Sequence, residues 1–361
     1  MIEAARPPEA GGLLTIDLGA LVANWRALGA RAGGAECAAV IKADAYGVGI
    51  EPAATALGRA GCRTFFVALL SEAARVRAAC PAATVYVLNG LPPGTGATFR
   101  DLGLRPVLGS AEEIAEWGEG PAALHVDTGM NRLGLRPEDV GPLPFRPALL
   151  MTHLVAAEEP ENPLNRRQIE AFARVRHAFP GVPASLANSS GIFLDVPADL
   201  VRPGYALYGG NPTPGRPNPM RPVVRVEARV IQVREAAVGE TVGYNGQWTA
   251  GRPSRIATIS VGYADGYPRS ASATDRKALA GTPSGEAIVA GRRCPFAGRV
   301  SMDLIAVDVT SLPDGAVRRG DRVTLIGDEL DLDEVARRAG TIGYEILTSL
   351  GRRYARTYAG G

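Results

Sequence analysis

The chain has 361 residues, of which 46% are apolar and 21% charged, and its formal net charge is +2. At about 100–200 residues per domain, this length predicts one large domain or two of ordinary size. A net charge near zero argues against nucleic-acid binding, which depends on a strongly basic surface. No apolar run reaches the ~20 residues of a membrane span, and the first residues lack the pattern of a secretory signal.

The cysteines and histidines form no metal-binding pattern. The four cysteines include no CxxC pair, and the chain has three histidines, so neither a zinc site nor a disulfide framework is predicted. A reducing compartment is typical of such a chain. We therefore expect a cytoplasmic protein with no metal, no nucleic-acid partner and no membrane partner.

Roughly the first 210 residues alternate short apolar runs with helical patterns, which predicts βα units and a parallel sheet. About eight such units in this length fit a (β/α)8 TIM-type barrel. A doubly wound open sheet is the alternative, although no GxGxxG motif follows a strand. The apolar runs are LLTIDL (13–18), ECAAVI (36–41), TFFVAL (64–69), TVYVL (84–88), LRPVL (104–108), AALHVD (122–127), ALLMTH (148–153), ASLAN (184–188) and ADLVRPG (198–204).

A segment rich in Pro and Gly at 209–222 predicts a linker between two domains. Beyond it, the apolar residues alternate in twos and Gly or Pro turns separate the runs, which predicts an antiparallel β domain. The pattern DLDEVARRAG near the C-terminus predicts one helix. The predicted domains are therefore a barrel over 1–218 and a mainly antiparallel β domain over 219–361.

Several polar residues follow the predicted barrel strands. Lys42, Arg132, His153, Asn188 and Arg202 each come at or just after the end of an apolar run. In a parallel barrel, the catalytic groups lie at the carboxyl ends of the strands. Each residue alone would be an ordinary loop residue, but the five together predict a site at that edge.

Lysine is rare in this chain. Of the 39 lysines and arginines, only Lys42 and Lys277 are lysine. A lysine can lose its proton and form a Schiff base, whereas a guanidinium stays charged. Pyridoxal phosphate is the commonest aldehyde cofactor that uses such a lysine. The sequence Asn188-Ser189-Ser190, which opens a predicted helix, and the backbone of Gly204-Tyr205 are candidate donors for its phosphate.

Nine motifs, taken in chain order, resemble those of alanine racemases, whose fold pairs an N-terminal (β/α)8 barrel with a C-terminal β domain. They extend over nearly the whole chain. The motifs are AAVIKADAYGVG (38–49), HVDTGMNRLG (125–134), MTHLVAAEEP (151–160), LANSS (186–190), VRPGYALYG (201–209), VGYNGQW (242–248), VGYADGYPR (261–269), GRVSMD (298–303) and RRYARTY (352–358).

The resemblance implies a reaction with two bases. Lys42 matches the lysine that holds pyridoxal phosphate and acts on one face of the substrate. Tyr244 matches the base on the opposite face, which the family supplies from the second subunit of a homodimer. Tyr263 and Met302 match further residues from that subunit, at the entrance and near the substrate carboxylate. Arg132 matches the arginine that steadies the tyrosine and the phenolic oxygen of the cofactor.

The resemblance also implies the remaining cofactor contacts. Arg202 matches the arginine that faces the pyridine nitrogen, and His153 matches the histidine that links this arginine to the tyrosine base. The residues that match the phosphate-binding set are Tyr46, Ser189, Gly204, Tyr205 and Tyr358. The implied function is the interconversion of L-alanine and D-alanine, which supplies D-alanine for peptidoglycan.

The chain departs from the family at several positions. His125 replaces a lysine that is carbamylated in many members and helps to position Arg132, and Val48 replaces a common histidine. The polar stretch 270–284 reads as an insertion that alters the entrance to the site. A racemase of broader specificity, or one acting on serine, therefore stays open. A decarboxylase is less favoured because no catalytic-cysteine motif surrounds Cys294, and a non-catalytic carrier because such carriers are lone barrels.

Overall fold

A curled parallel sheet organises the middle of the chain. The computed structural model describes residues 9–360, and within it the segment from Leu18 to Arg221 forms one unit. Its strands are short and nearly fully buried, as expected where both faces of a parallel sheet are covered. They are Glu36–Cys37, Ala39–Val40, Thr64–Val67, Thr84–Val87, Arg105–Leu108, Ala123–His125, Leu149–Met151, Ala184–Ser185 and Leu200–Val201.

These strands occupy eight positions around a barrel. Seven strands, from Ala39–Val40 to Ala184–Ser185, pair in chain order. The last strand, Leu200–Val201, pairs in parallel with Glu36–Cys37, and the N–H of Asp199 donates to the carbonyl of Ala184 at 2.9 Å. The alternation of strand and helix thus builds the predicted barrel-type unit, with the strand ends aligned at one edge.

Helices connect most of these strands, and their apolar faces complete the buried core. The longest, Pro163–His177, begins where the Asn162 side chain accepts the N–H of Leu164 at 3.0 Å, as an N-cap residue does. The other α-helices are Leu18–Arg31, Ile50–Arg59, Leu70–Ala79, Gly96–Asp101 and Ala111–Trp117, and the 3₁₀ turns are Pro137–Asp139, Gly191–Leu194 and Tyr205–Tyr208.

The second unit is a mainly antiparallel β structure built from the chain beyond Pro222 together with the segment that ends at Asp17. Val224–Ala236 is its longest strand and pairs with three others. The remaining strands are Gly12–Asp17, Ser254–Ile259, Glu286–Val289, Arg292–Pro295, Ile305–Asp308, Arg322–Ile326 and Ala355–Ala359, and the α-helices are Asp275–Leu279, Leu332–Ala339 and Gly343–Ser349. Its 3₁₀ turns are Tyr244–Gly246, Tyr263–Asp265 and Arg269–Ala271.

The prediction that LLTIDL is the first barrel strand is wrong. Gly12–Asp17 lies between Val224–Ala236, to which it is antiparallel, and Ala355–Ala359, to which it is parallel. The expectation that the first domain begins at residue 1 is therefore wrong for this segment. A buried apolar run indicates a strand but does not identify its sheet, because its partners are distant in sequence.

Two smaller features also differ from the sequence prediction. Gly343–Ser349 is a second C-terminal helix, and the helix predicted after Asn188 is a single 3₁₀ turn, Gly191–Leu194. Short helices carry too little apolar periodicity to be identified from sequence alone. Among the described residues, none of the helices is long and apolar enough to cross a membrane.

The variant Leu14→Ala tests the assignment of strand Gly12–Asp17 to the β unit. Leu14 is fully buried, so Leu14→Ala should cost about 2–5 kcal/mol of unfolding free energy. Hydrogen exchange should accelerate in strands 224–236 and 355–359, which flank the strand carrying Leu14. Leu28→Ala, at an equally buried position in helix Leu18–Arg31, is the matched control and should instead accelerate exchange in the barrel unit. A loss of protection confined to the barrel in Leu14→Ala would contradict the assignment.

Candidate active site

Lys42 begins an unusual turn at the carboxyl end of the barrel strand Ala39–Val40. Residues 43–46, none of them glycine, have φ between 52° and 54°, which is the left-handed conformation. This conformation costs an L-residue about 1–2 kcal/mol, and runs of such residues persist only where their surroundings hold them. The side chain of Asp44 contributes by accepting the N–H of Ile50 at 3.1 Å.

Glu72 holds this turn in place from the helix Leu70–Ala79, which follows the neighbouring strand Thr64–Val67. Its Oε1 accepts the N–H of Ala43 at 2.7 Å, and its Oε2 accepts the N–H groups of Ala68 and Leu69 at 2.9 and 3.1 Å. Charge-assisted bonds of this kind are stronger than neutral ones. One carboxylate therefore fixes the backbone next to Lys42 to the start of helix Leu70–Ala79.

The environment of Lys42 favours its uncharged amine. Burial and the nearby Arg132 guanidinium lower the pKa of Lys42, and Glu72 opposes them. A lowered pKa enlarges the neutral fraction of the amine, which is the form that attacks an aldehyde or accepts a proton.

Arg202 lies buried among barrel side chains, 4% exposed. Its guanidinium donates to Ser185 Oγ and, at 2.6 Å, to the carbonyl of Thr152, and it lies 5.8 Å from the centroid of the Phe66 ring. Burial lowers its pKa to about 10, so Arg202 stays positively charged at neutral pH.

Two histidines lie within the electrostatic reach of Arg202, and both are uncharged. Burial and Arg202 lower the pKa of His125 to about 4 and that of His153 to about 3, with Arg132 acting in the same direction on both. Arg202 is the buried cation, and a neutral imidazole can donate one hydrogen bond and accept another.

The loop that carries Arg132 is anchored to His125 through the backbone. The N–H of Leu135 donates to the His125 carbonyl at 3.0 Å, and the Asp127 carboxylate accepts the N–H groups of Gly129 and Met130 at 2.9 and 2.8 Å. Arg132 itself is exposed. The loop is thus held through its backbone, by the His125 carbonyl and the Asp127 carboxylate, where the resemblance implies a carbamylated lysine in many members.

A set of buried donors surrounds Gly204. Ser189 Oγ accepts the N–H groups of Gly204 and Ala206 at 3.0 and 3.2 Å, which leaves its own hydroxyl proton to be donated. Burial raises the pKa of the Tyr46 phenol, so Tyr46 also remains a donor. A Cβ on Gly204 would collide with Tyr46 Oη. The glycine therefore keeps open a polar cradle suited to a phosphate.

Asn188 and Tyr205 lie beside this cradle, and the Asn188 side chain has a role that the sequence did not predict. The Asn188 side-chain oxygen accepts the N–H of Gly191 at 2.8 Å, so in this structure it shapes the turn after Ser189 and Ser190. Tyr205 is buried at the start of the 3₁₀ turn Tyr205–Tyr208. Asn188 thus supports the cradle by shaping the neighbouring turn, and the hydroxyl donors of the cradle are those of Ser189 and Tyr46.

A second group of predicted residues meets in the β unit. Tyr244, Tyr263 and Met302 line one cavity of about 380 Å³. The N–H groups of Tyr263 and Ala264 donate to the carbonyls of Ser301 and Met302, both at 3.0 Å. Tyr244 is 70% exposed, Tyr263 40% and Met302 53%. The structure therefore brings together the three residues for which the resemblance implies a role in a partner's site.

Tyr358 and Cys294 also belong to the β unit but not to the residues that line this cavity. Tyr358 lies on strand Ala355–Ala359, opposite Ile16. Cys294 lies fully buried in strand Arg292–Pro295. A buried thiol with a raised pKa does not fit a catalytic cysteine.

The sequence analysis missed two residues that organise the barrel edge. Glu72 is one, and its position three residues into a helix after a strand is the signal that could have found it. Gln168 is the other. Its amide donates to the His153 carbonyl at 2.9 Å and to Thr128 Oγ1 at 3.1 Å. The only sequence signal for Gln168 is its position on the helix Pro163–His177, because its partners are distant in sequence.

Comparison with known proteins agrees with this arrangement. The sequence models of the alanine racemase N-terminal and C-terminal domains match residues 16–212 and 223–358. This chain belongs to the alanine racemase family. It is 61% identical over 368 residues to an alanine racemase of Methylobacterium nodulans, with 97% of each chain covered.

Two further relatives connect the family to this fold and cofactor. A biosynthetic alanine racemase of Agrobacterium fabrum is 48% identical over 365 residues, covering 96% of this chain and 93% of its own. A crystal structure of alanine racemase from Bartonella henselae with covalently bound pyridoxal phosphate has a TM-score of 0.89 and 41% identity, covering 97% of this chain and 99% of its own.

Removing the Glu72 carboxylate should loosen the lysine turn. We expect Glu72→Ala to lower the free energy of unfolding by about 1.5–3 kcal/mol, since the charged acceptor of three backbone N–H groups is lost. The pKa of Lys42 should fall further, because Glu72 raises it. As the chain has two lysines, NMR of protein labelled with ¹⁵N-lysine resolves Lys42 from Lys277. An unchanged Lys42 titration in the cofactor-free variant, judged against Lys277, would contradict this role.

His125 should make stability depend on pH. Its pKa is about 6.5 when unfolded and about 4 when folded, so the unfolded chain binds more protons between these values. The stability that the neutral His125 contributes is present above pH 6.5 and is lost as the pH falls toward 4, on the order of 3 kcal/mol in total. In urea unfolding from pH 4.5 to 7, the free energy of unfolding should fall less steeply with decreasing pH in His125→Asn than in the parent protein. The exposed His177 provides the control, since the free energy of unfolding of His177→Asn should depend on pH as that of the parent protein does.

Proposed function

We propose that this chain is a pyridoxal-phosphate-dependent racemase that interconverts L-alanine and D-alanine. One observation carries the proposal. A partly buried lysine with a lowered pKa is fixed at the carboxyl edge of a barrel whose other polar residues include a buried arginine and an anion cradle. This is the arrangement that an aldehyde cofactor with a phosphate requires.

The residues of the barrel fit that cofactor. Lys42 would form the covalent link, and the hydroxyls of Ser189 and Tyr46 with the backbone at Gly204 would hold the phosphate. Arg202 would face the pyridine nitrogen. When bound, pyridoxal phosphate withdraws electrons from the α-carbon of the amino acid and acidifies its proton. Because a guanidinium cannot protonate the nitrogen as a carboxylic acid does, Arg202 favours return of the proton to the α-carbon.

Inversion of the α-carbon needs a base on each face of one plane. We assign the first face to Lys42, whose lowered pKa supports proton transfer near neutral pH. We assign the second face to Tyr244, because a phenol acts as a base only where positive charge stabilises its phenolate. We assign that charge to Arg202, which is buried and positively charged, and the intermediate hydrogen bonding to an uncharged His153. Arg132 would steady the tyrosine and the substrate.

We further propose a homodimer with shared active sites, in which Tyr244, Tyr263 and Met302 serve the partner's barrel. Four large apolar side chains, these three and Leu304, are 37–70% exposed on the β unit, as is typical of an interaction surface. Tyr358 would complete the phosphate site. The proposed setting is the cytoplasm and the proposed role is the supply of D-alanine for peptidoglycan.

Mixing two inactive variants tests the shared site. Lys42→Ala should lose the visible absorbance of the bound cofactor and all racemase activity, and Tyr244→Phe should keep the absorbance but lose racemisation. After unfolding and refolding of an equimolar mixture, half of the dimers are mixed and each has one intact site, so activity should return to about a quarter of the parent value. The assay is chiral analysis of the product from L-alanine.

The controls separate the possible failures. Each variant refolded alone should stay inactive. A mixture that remains inactive although mixed dimers form would contradict a tyrosine supplied by the partner. Retained cofactor absorbance in Lys42→Ala would contradict the lysine assignment. Faster conversion of L-serine than of L-alanine in the same chiral assay would favour the serine racemase, for which the replacement at His125 is the motivating departure.

A further inference from the structure

The turn that carries Tyr244 depends on backbone geometry rather than on packing of the tyrosine itself. Tyr244 is 70% exposed, so few contacts within its own unit restrain the ring. Gly243, Asn245 and Gly246 have φ of 77°, 62° and 51°, which are left-handed values. Such a turn keeps one shape only where neighbouring groups fix it.

The insertion-like stretch 270–284 fixes the far side of this turn. The backbone N–H of Asp275 donates to the carbonyl of Gln247 at 2.8 Å. Its carboxylate accepts the N–H and the hydroxyl of Thr249, at 3.3 Å to Oδ1 and 2.8 Å to Oδ2. Thr249 also pairs with Thr241 across the base of the turn. Asp275 therefore holds the strand that returns from Tyr244.

The stretch is itself anchored, so it can act as a rigid support. The N–H of Ala273 donates to the Gly298 carbonyl at 2.9 Å, and the N–H of Gly285 donates to the Ala271 carbonyl at 2.7 Å. The first bond ties the start of the stretch to the rest of the β unit, and the second joins the two ends of the stretch to each other. The short helix Asp275–Leu279 then begins at a fixed place, with Thr274 as its cap.

We propose that Asp275 is a positioning residue for Tyr244, acting through Thr249 and Gln247. This inference rests on the proposed role of Tyr244 as the base on one face. The Asp275 bracket, meaning the bonds from Asp275 to Gln247 and Thr249, sets the backbone from which the phenol projects toward the substrate. Since a displacement of about 1 Å in a reacting group can cost up to a hundredfold in rate, loss of the bracket selectively impairs the face served by Tyr244.

The test measures the two faces separately in the pyridoxal-phosphate-loaded dimer. Each alanine enantiomer is incubated in deuterium oxide, and α-proton exchange is measured before inversion accumulates. Tyr244→Phe defines which enantiomer depends on the tyrosine. For Asp275→Ala we expect exchange of that enantiomer to fall about tenfold, with less than a twofold change for the enantiomer that Lys42 serves. Amide hydrogen exchange over 243–249 should also accelerate about tenfold, since the bracket's side-chain bonds are lost.

A milder pair of variants keeps the test informative if Asp275→Ala folds poorly. Thr249→Val removes the hydroxyl that donates to Asp275, and Thr249→Ser restores it. The valine variant should show the same one-sided loss at smaller size, and the serine variant should recover it. Asp308→Ala is the matched control, because Asp308 accepts the N–H of Thr310 at 3.0 Å and also its hydroxyl. Asp308→Ala should leave unchanged the ratio of the α-proton exchange rates of the two enantiomers.

The outcomes separate this inference from the function on which it rests. If Tyr244→Phe impairs one enantiomer but Asp275→Ala and Thr249→Val lower both equally or neither, the positioning role is overturned and the two-base reaction stands. If amide exchange over 243–249 is unchanged in both variants, the bracket does not hold the turn and the inference fails. If Tyr244→Phe impairs both enantiomers equally, the proposed role of Tyr244 fails, and this inference fails with it.

Discussion

The bond network of Glu72 is the constraint on which the barrel site depends. Four consecutive residues after Lys42 adopt a conformation that L-amino acids avoid, and this turn sets the direction of the lysine side chain. A carboxylate that accepts three backbone N–H groups, from Ala43, Ala68 and Leu69, joins the turn to the neighbouring strand and helix. The strained backbone therefore persists because a charged acceptor offsets part of its cost.

A second constraint is the balance of charge inside the barrel. Arg132 and Arg202 bring positive charge to one edge, and burial together with these two cations keeps His125 and His153 uncharged. Such a site is prepared for an anionic ligand, whose phosphate and carboxylate would compensate the cations. The neutral histidines also explain how the chain tolerates His125 where the family carries a modified lysine. An uncharged imidazole adds no further repulsion beside Arg132, and the main chain holds the arginine loop.

The two candidate bases are held by the same kind of device. Glu72 fixes the turn that follows Lys42, and Asp275 holds the turn that carries Tyr244. Glu72 accepts three backbone N–H groups, and Asp275 accepts the N–H and the hydroxyl of Thr249, three residues after a glycine with positive φ. A carboxylate suits this task because it offers several acceptor sites and binds main-chain donors strongly.

The sequence by itself determined much of this protein. Alternating apolar runs and helical patterns predicted the barrel strands beyond the first run, and a shift to period-two alternation predicted the β unit. The isolation of Lys42 in an arginine-rich chain identified the chemistry that arginine cannot perform. These are local or compositional signals, which a single sequence carries directly.

Only the tertiary structure decided the rest, because the deciding contacts join residues far apart in the chain. The strand Gly12–Asp17 is apolar enough for either unit, and its pairing with Val224–Ala236 placed it in the β unit. Asn188 turned out to shape a turn, and His153 to be neutral, through partners that no spacing reveals. Glu72 and Asp275 are ordinary acidic residues in the sequence. Their roles exist only where the fold brings a carboxylate against backbone N–H groups, many of them distant in sequence.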